Sequence, residues 1–527
     1  MELSEKAQKS ESASLLKSWL QTLGCVINPK IDYPAIFDGQ LYGMIARHKL
    51  NPGETVVLIK HEAIISTELL QDTEIKVIFE EFPEIFNKEN PEGLDNQFLT
   101  LIIYEKSKGP SSKWGLYFNT MPTKVENLSD WEANDLLELQ DHDIITDSFI
   151  RKDKNLSTYH DLRRILNKYP MFFPQEVTIE LIEWCWKIIW TRSFMRSPEN
   201  SALIPYADFI NHGTSSTSFY FVDQKEEDVD DEMTFADYDE MFTKDNVQNI
   251  NCKDLYEISF SALEELDNEK FELARRVLAE ADAIDKMDKD RKKKVIQSVD
   301  DVKDSDFLVV TGDNESYVEG SQIVFEYGKY SNTSLLIHYG FAIPENRFEY
   351  YRLKIELGKL LQPLQLKHLP FKYEKNNFLL FYLGPNELCR ELLRVIRALL
   401  WTPQYSSKAF FIQTDLSFEK QVLLKYAEIL IGILRNYPSS IEDDLAISPN
   451  SARHYFAITY RVQKKTLIQK HIQLALSALK IVEKIEINCA LEPEQVKLVD
   501  KKLKAYIGGL RHYSNTETGT GLNANNI

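Results

Sequence analysis

Cysteine is scarce in this chain: five in 527 residues, at positions 25, 185, 252, 389 and 489, with no C-x-x-C pair. That scatter argues against a clustered zinc site and against a disulfide scaffold, and it suits a reducing compartment. No apolar run approaches the ~20 residues that a membrane helix needs. Residues 1–14 are too polar and charged to read as a signal peptide. Positive charge is also short: 62 Lys and Arg stand against 81 Asp and Glu, for a net charge of −19. Such a balance repels phosphate backbones and makes nucleic acid an unexpected direct partner, whereas a basic protein would be attracted. Three motifs are missing as well. Without G-x-x-x-x-G-K-[ST], H-E-x-x-H or G-x-S-x-G, the chain lacks the markers of P-loop, zincin and α/β-hydrolase chemistry.

What is present is a globular composition, 43% apolar and 27% charged, over a length that suggests two or three domains. Residues 15–23 have the spacing of a short amphipathic helix. Leu41–Ala46 and 56–59 are apolar runs of strand type, with the turn signal Asn51-Pro52-Gly53 between them. From about 95 to 200 the period is helical, clearest at 136–139 and 179–194. Residues 223–306 then hold 27 Asp and Glu against 13 Lys and Arg, and that difference of −14 is most of the net charge. Helical spacing at 254–283 and a solvated run, KEEDVDDE, at 225–232 mark this stretch as an insertion within a domain, because strand-like sequence resumes at Phe307–Val310 and 323–327. After about 350 the chain reads as helical. There Ile468, Ile472, Ala475, Leu479 and Val482 form one apolar stripe.

The candidate chemistry lies in two segments, RSFMRSPENSALIPYADFINH (192–212) and IVFEYGKYSNTSLLIHYGFAIP (323–344). The first sets Pro205, Asp208, Asn211 and His212 in a loop behind a helix. The second holds two Tyr-Gly pairs, Tyr327-Gly328 and Tyr339-Gly340. A helical stretch at 333–338 would bring both tyrosines back to one place, with the glycines permitting close approach. Each feature alone is bland; their ordered combination is specific.

That combination resembles the SET-domain protein methyltransferases, in the group typified by the Rubisco large-subunit lysine methyltransferase and the fungal ribosomal-protein lysine methyltransferases. LYGMIARHKLNPGETVVLIKHEAIIST (41–67) resembles the family's opening strands, and LIIYEKSKGPSSKWGLYFNTMP (101–122) its "YE" and "W-x-x-Y" segment. Trp184, Trp186 and Arg192 fit the helix that follows. PYADFINH fits P-x-x-D-x-x-N-H, and YGKYSNTSLLIHYGF fits the closing Tyr-Gly motif. LRNYPSSIEDD (434–444) and TYRVQKKTLI (459–468) are similar to the C-terminal substrate-binding domain. The chain departs from the pattern at Leu41, which replaces the first glycine of an opening G-x-G and leaves only Gly43, and at Lys60, where proline is usual.

The resemblance implies an α+β fold. Residues 1–345 would form a β-rich SET domain with a helical subdomain at about 95–200 and the acidic insertion at about 223–306. A helical domain would follow at 346–513, then a disordered tail at 514–527. It implies an S-adenosyl-L-methionine-dependent protein-lysine N-methyltransferase that needs no metal. Its substrate would be a ribosomal protein or a translation factor, its location cytoplasmic with the nucleus as a second site, and its expected state a monomer. By the same resemblance, Tyr327 is the catalytic tyrosine, and Tyr339 and Phe341 line the methyl-transfer channel. Asn211 and His212 hold the cofactor, Arg192 meets the cofactor carboxylate, and Asp208 supports that loop. Glu54 and Val56 stand on the cofactor side, and Asn332 braces the crossing of the two segments. Two other readings stay open: a protein-histidine methyltransferase acting on a cytoskeletal protein, and a SET-like interaction module without catalysis.

Overall fold

A computed structural model describes residues 2–37, 41–87, 89–90, 92–197, 200–222, 306–356, 378–402, 415–487, 489–503 and 506–507. The acidic stretch expected at 223–306 (Asp306 apart), its helix at 254–283 and the tail at 514–527 lie outside these residues.

The chain opens with helix α1 (Glu2–Thr22), which reaches further back than the expected 15–23. Its Ala13, Leu16 and Leu20, spaced by three and four, are buried against the first strands. The strands that follow are short. They are β1 (Val26–Ile27), β2 (Ile31–Phe37), β3 (Leu41–Ala46), β4 (Thr55–Ile59), β5 (Ile65–Ser66), β6 (Ser193–Ser197), β7 (Asn200–Leu203), β8 (Asn211–His212), β9 (Ser218–Phe221), β10 (Phe307–Val310) and β11 (Gln322–Phe325). They form three small sheets, in the orders β1-β4-β10-β9, β2-β3-β11-β8 and β5-β7-β6. The turn at Asn51-Pro52-Gly53 exists, but β3 and β4 do not pair with each other. Leu50 instead exchanges both backbone hydrogen bonds with Tyr317, so the β10–β11 connection fills the place of a hairpin partner.

Strands β9 and β10 pair antiparallel, Phe221 opposite Phe307, and the Val222 amide donates to the Asp306 carbonyl at 3.0 Å. The acidic stretch therefore leaves and re-enters the fold at one place. An insertion with adjacent ends adds little loop-closure cost for its length. Its return point is anchored by Asp306, buried with Lys60, whose Nζ lies 3.0 Å from Oδ2; the His61 amide donates to Oδ1. The lysine at the expected proline position thus secures the end of the insertion.

Between β5 and β6 stands a helical subdomain built on α2 (Gly93–Ser107), α3 (His142–Leu166) and α4 (Ile179–Arg192). Asp141 caps α3 and Thr178 caps α4, each accepting from amides of the first turn. The expected run of helix to 200 stops at Arg192, where β6 and β7 form a hairpin. The C-terminal region also differs from its purely helical expectation. It begins with the antiparallel pair of β12 (Tyr351–Glu356) and β13 (Phe378–Leu383). Helices α5 (Arg390–Leu400), α6 (Leu416–Arg435) and α7 (Ala452–Glu486) follow, around a core separate from that of the strands. The stripe from Ile468 to Val482 lies on the buried face of α7. No helix among the described residues is long and apolar enough to cross a membrane.

Among the described residues His338 and His471 are buried and His212 is half-buried, and loss of water pulls His212 and His471 down to about 4 and His338 down to about 3. His471 shows why it stays neutral. Its Nε2 donates to the Gly384 carbonyl at 2.7 Å, which leaves Nδ1 to accept from the Tyr426 hydroxyl at 2.8 Å. Unfolding frees these rings to titrate near ~6.5, so below that pH the unfolded chain binds more protons than the folded one. Stability is expected to be full above pH 6.5 and to fall as pH drops toward 5. Melting temperatures measured from pH 7.5 to 5 check this, and a flat profile would contradict it.

Candidate active site

The two segments singled out in the sequence meet as neighbouring strands. Strand β8 is only Asn211 and His212, and it pairs parallel with β11, Asn211 beside Val324 and His212 beside Phe325. Tyr327 lies two residues past β11. Its amide donates to His212 Nδ1 at 3.1 Å, which places the ring proton on Nε2, and its hydroxyl donates to the Ile210 carbonyl at 3.2 Å. The expected loop at 211–212 is therefore a strand, and the pairing aims both side chains at the second segment.

That segment turns back through Asn332–Ser334 and a π-helical turn over Leu335–Tyr339. The wider turn ends on Gly340 at φ +77°, where a Cβ would stand 2.6 Å from the Glu126 carbonyl. Only glycine fits there, and the resulting reversal brings Tyr339 over Tyr327 with ring centroids 5.1 Å apart. Phe341 lies 6.0 Å from Tyr339 and 5.8 Å from His212, and Tyr330 lies 6.0 Å from Tyr339. Tyr327, Tyr339 and Phe341 are each half-buried, so these rings form one contiguous aromatic face that solvent reaches in part. Burial pushes the Tyr327 phenol up to about 12 and that of Tyr339 well above its ordinary value, so both are neutral at pH 7. Asn332, wholly buried, braces the reversal by exchanging two 2.9 Å hydrogen bonds with the Ile343 backbone.

On the other flank of β8, the Asn211 amide donates to the Tyr42 carbonyl at 2.9 Å. A Cβ on Gly43 would stand 2.8 Å from Asn211 Nδ2 and 2.6 Å from Gln322 Nε2. Gln322 Nε2 is a buried donor without an acceptor. Two amide groups around a glycine strand make a cradle for a ligand that presents acceptor oxygens. Gly43→Ala is expected to displace Asn211 and to weaken binding of such a ligand by tenfold or more, while the melting temperature falls only slightly. Calorimetric titration of the variant checks this.

Three of the expected site residues, Arg192, Val56 and Glu54, are used differently. Arg192, the last residue of α4, turns one arm of its fork to Asp208. One of its terminal nitrogens lies 2.9 Å from Asp208 Oδ2 and 3.1 Å from the Asp208 carbonyl, because a carboxylate buried that deeply needs a counter-charge. Asp208 supports the loop as expected: its Oδ2 meets Arg192 and accepts from the Tyr117 hydroxyl at 3.0 Å, while its buried Oδ1 has no hydrogen-bond partner among the described residues. Val56 is wholly buried in the core. Glu54 accepts from Lys30 at 2.7 Å, from Asn28 at 3.0 Å and from the Asn51 amide at 2.9 Å, which fixes the turn before β4.

Other contributors had no signal in the sequence. Tyr206 takes φ +71°, a conformation that costs a non-glycine residue about 1–3 kcal/mol, and Phe209 packs against its ring at 5.3 Å. Glu315 clamps the loop after His212, accepting from Ser215 Oγ at 2.7 Å and from the amides of Ser216 and Thr217 at 2.7 and 2.9 Å. Burial pushes this carboxyl up, but those hydrogen bonds outweigh it and hold it below its ordinary value. Among the described residues, no group of three or more His, Cys, Asp or Glu is placed to hold a metal ion.

Strand sheets interrupted by a helical subdomain, a parallel contact at Asn-His, and a tyrosine-lined reversal define the SET-domain fold. The solved structures bear this out. The chain superposes on the SET domain of LSMT bound to lysine and AdoHcy with a TM-score of 0.58 at 17% identity, covering 90% of this chain and 93% of that one. Rubisco LSMT bound to AdoMet gives 0.57 at 16% identity with the same coverage. Among curated proteins, ribosomal lysine N-methyltransferase 3 of Saccharomyces cerevisiae is 28% identical over 172 residues, which is 31% of this chain and 28% of that protein. N-lysine methyltransferase SETD6 of Bos taurus is 22% identical over 213 residues, 37% of this chain and 45% of that protein. The chain thus matches less than half the length of either relative. No protein-family model matches the sequence.

Proposed function

We propose that this chain is an S-adenosyl-L-methionine-dependent protein-lysine N-methyltransferase whose substrate is a ribosomal protein or a translation factor. The observation that carries the reading is the β8–β11 contact, which brings Asn211, with its bond to Tyr42, and the Tyr327–Tyr339–Phe341 rings to one pair of neighbouring strands. In support, the structural neighbours are bound to AdoMet or AdoHcy and, in one, to lysine. The substrate class rests on the yeast relative's name and on the net charge of −19, which favours a basic target.

The residues fit the donor. The acceptor-seeking amide of Gln322, the Asn211 carboxamide and the backbone at Tyr42-Gly43 would hold its polar groups; His212, neutral, would pack beside it. When bound, the donor supplies an electrophilic methyl group. Exclusion of water and the positive charge of the bound donor would together penalise an ammonium, so the target amine would react uncharged. The neutral Tyr327 and Tyr339 hydroxyls, too weakly acidic to act as bases at pH 7, orient that amine for in-line attack, which is proximity catalysis. We propose the cytoplasm as its location, the nucleus as a second one, and a monomer that engages neither nucleic acid nor membrane.

The test uses the full-length protein, tritiated S-adenosylmethionine and a lysate of cells lacking it. Labelling of one band, with the mark on lysine, is expected. A mark on histidine would move the assignment to histidine methylation; donor binding without any labelling would leave an interaction module. Asn211→Ala is expected to weaken donor binding by about tenfold, and unchanged binding in a calorimeter would defeat its role.

A further inference from the structure

We propose that Phe456, in the first turns of α7, is a specificity-determining residue: it forms the outer edge of the aromatic face and receives an apolar residue flanking the target lysine. This rests on the reading under Proposed function. The Phe456 ring lies 6.5 Å from Phe341, which itself lies 6.0 Å from Tyr339. It thereby extends the aromatic row with a residue more than a hundred positions downstream. Phe456 is half-buried, and its neighbour Tyr455, 5.6 Å away ring to ring, is 43% exposed. The aromatic row therefore runs from the half-buried tyrosines out to solvent.

Phe456 is held in place by independent ties. Leu128, Leu336, Ala342, Ala457 and Tyr460 form a small core that joins the helical subdomain, the π-turn and α7. Arg453 bonds Asp135 at 2.9 Å and Glu126 at 3.0 Å, and it is the Glu126 carbonyl that crowds Gly340. The Tyr460 hydroxyl donates to Asp141 at 2.7 Å. Lys464 Nζ, almost wholly buried, reaches Glu349 Oε1 and the Tyr350 carbonyl at 2.7 Å and Thr333 Oγ1 at 2.9 Å. The start of α7 cannot swing away from the Tyr339–Phe341 reversal without breaking these contacts. A fixed apolar ring at the edge of that aromatic face loses little freedom when a neighbouring side chain packs on it, which is the usual character of a binding hot spot.

The experiment compares wild type, Phe456→Ala and Phe456→Tyr as full-length proteins. Initial rates of tritium transfer are measured against increasing amounts of the same lysate, beside donor affinity and melting temperature. Phe456→Ala is expected to raise the lysate concentration for half-maximal labelling by about tenfold. Its limiting rate should stay within threefold and its donor affinity should not change; Phe456→Tyr should stay near wild type. A merely structural ring would lower the melting temperature and the limiting rate together and leave half-saturation alone, and that result overturns the proposal. If Phe456→Ala folds poorly, Phe456→Leu is read by the same split. Wild-type protein that labels nothing would defeat the functional reading itself, and this proposal with it, whereas equal half-saturation for wild type and variant defeats only this one.

Discussion

Tyr327→Phe is expected to lower methyl transfer by about 10²–10³-fold, the usual cost of removing one well-placed hydrogen-bonding group from a reacting centre. Fold and donor affinity should remain close to wild type. The ring makes the packing contacts, to His212 at 5.2 Å, Phe325 at 5.7 Å and Tyr339 at 5.1 Å, and phenylalanine keeps all three. The hydroxyl's own bond, 3.2 Å to the Ile210 carbonyl, is long for an O–H donor, so losing it costs stability at most about 1 kcal/mol. Turnover measured with melting temperature and donor affinity checks this. A variant that turns over at the wild-type rate would shift the orienting role to Tyr339.

The largest loss of stability is expected at Asp444. Its carboxylate is wholly buried and accepts from Arg461 Nε at 2.9 Å, Lys465 Nζ at 2.6 Å and Ser439 Oγ at 2.6 Å. Arg461 and Lys465 are themselves buried. Asp444→Ala leaves two buried cations with weakened compensation: Arg461 keeps Glu138, which is half-exposed, and Lys465 keeps Gln140 and Ser439. Removing one member of such a group costs about 3–5 kcal/mol, whereas replacing all the charges by apolar residues of similar volume can be neutral. Chemical denaturation should show the single substitution as more damaging than the combined Asp444→Leu, Arg461→Met and Lys465→Met change. The reverse order would mean that the ion cluster is not what holds α7 to the segment before it.

Much of the local structure was legible because hydrophobic period reports it directly. The runs at Leu41–Ala46, 56–59, Phe307–Val310 and 323–327 are strands, or overlap strands, in the structure. The Ile468–Val482 stripe is the buried face of a helix. The β12–β13 pair is less legible, although Tyr351, Leu353 and Ile355 alternate with Arg352, Lys354 and Glu356, because the long helices that follow dominate the period. Strand β8 could not be read at all. Two residues, Asn and His, carry no period, and only a parallel partner more than a hundred residues away makes them a strand.

The same division runs through the site. That Asn211, His212, Tyr327, Tyr339 and Phe341 lie close together was legible because their order along the chain is distinctive, and ordered motifs survive in a sequence whatever the fold does between them. That Arg192 serves Asp208, that Val56 is core and Glu54 a turn brace, and that Lys464 and Lys465 are buried were invisible, since a charged side chain carries no mark of where its counter-charge will lie. From its sequence alone this chain determined its repertoire: which stretches bury an apolar face and which polar and aromatic side chains are on offer for chemistry. Tertiary structure decided which of those side chains meet. Pairing, counter-charge and burial depend on distances between residues far apart in the chain, and no local pattern encodes a distance across hundreds of residues.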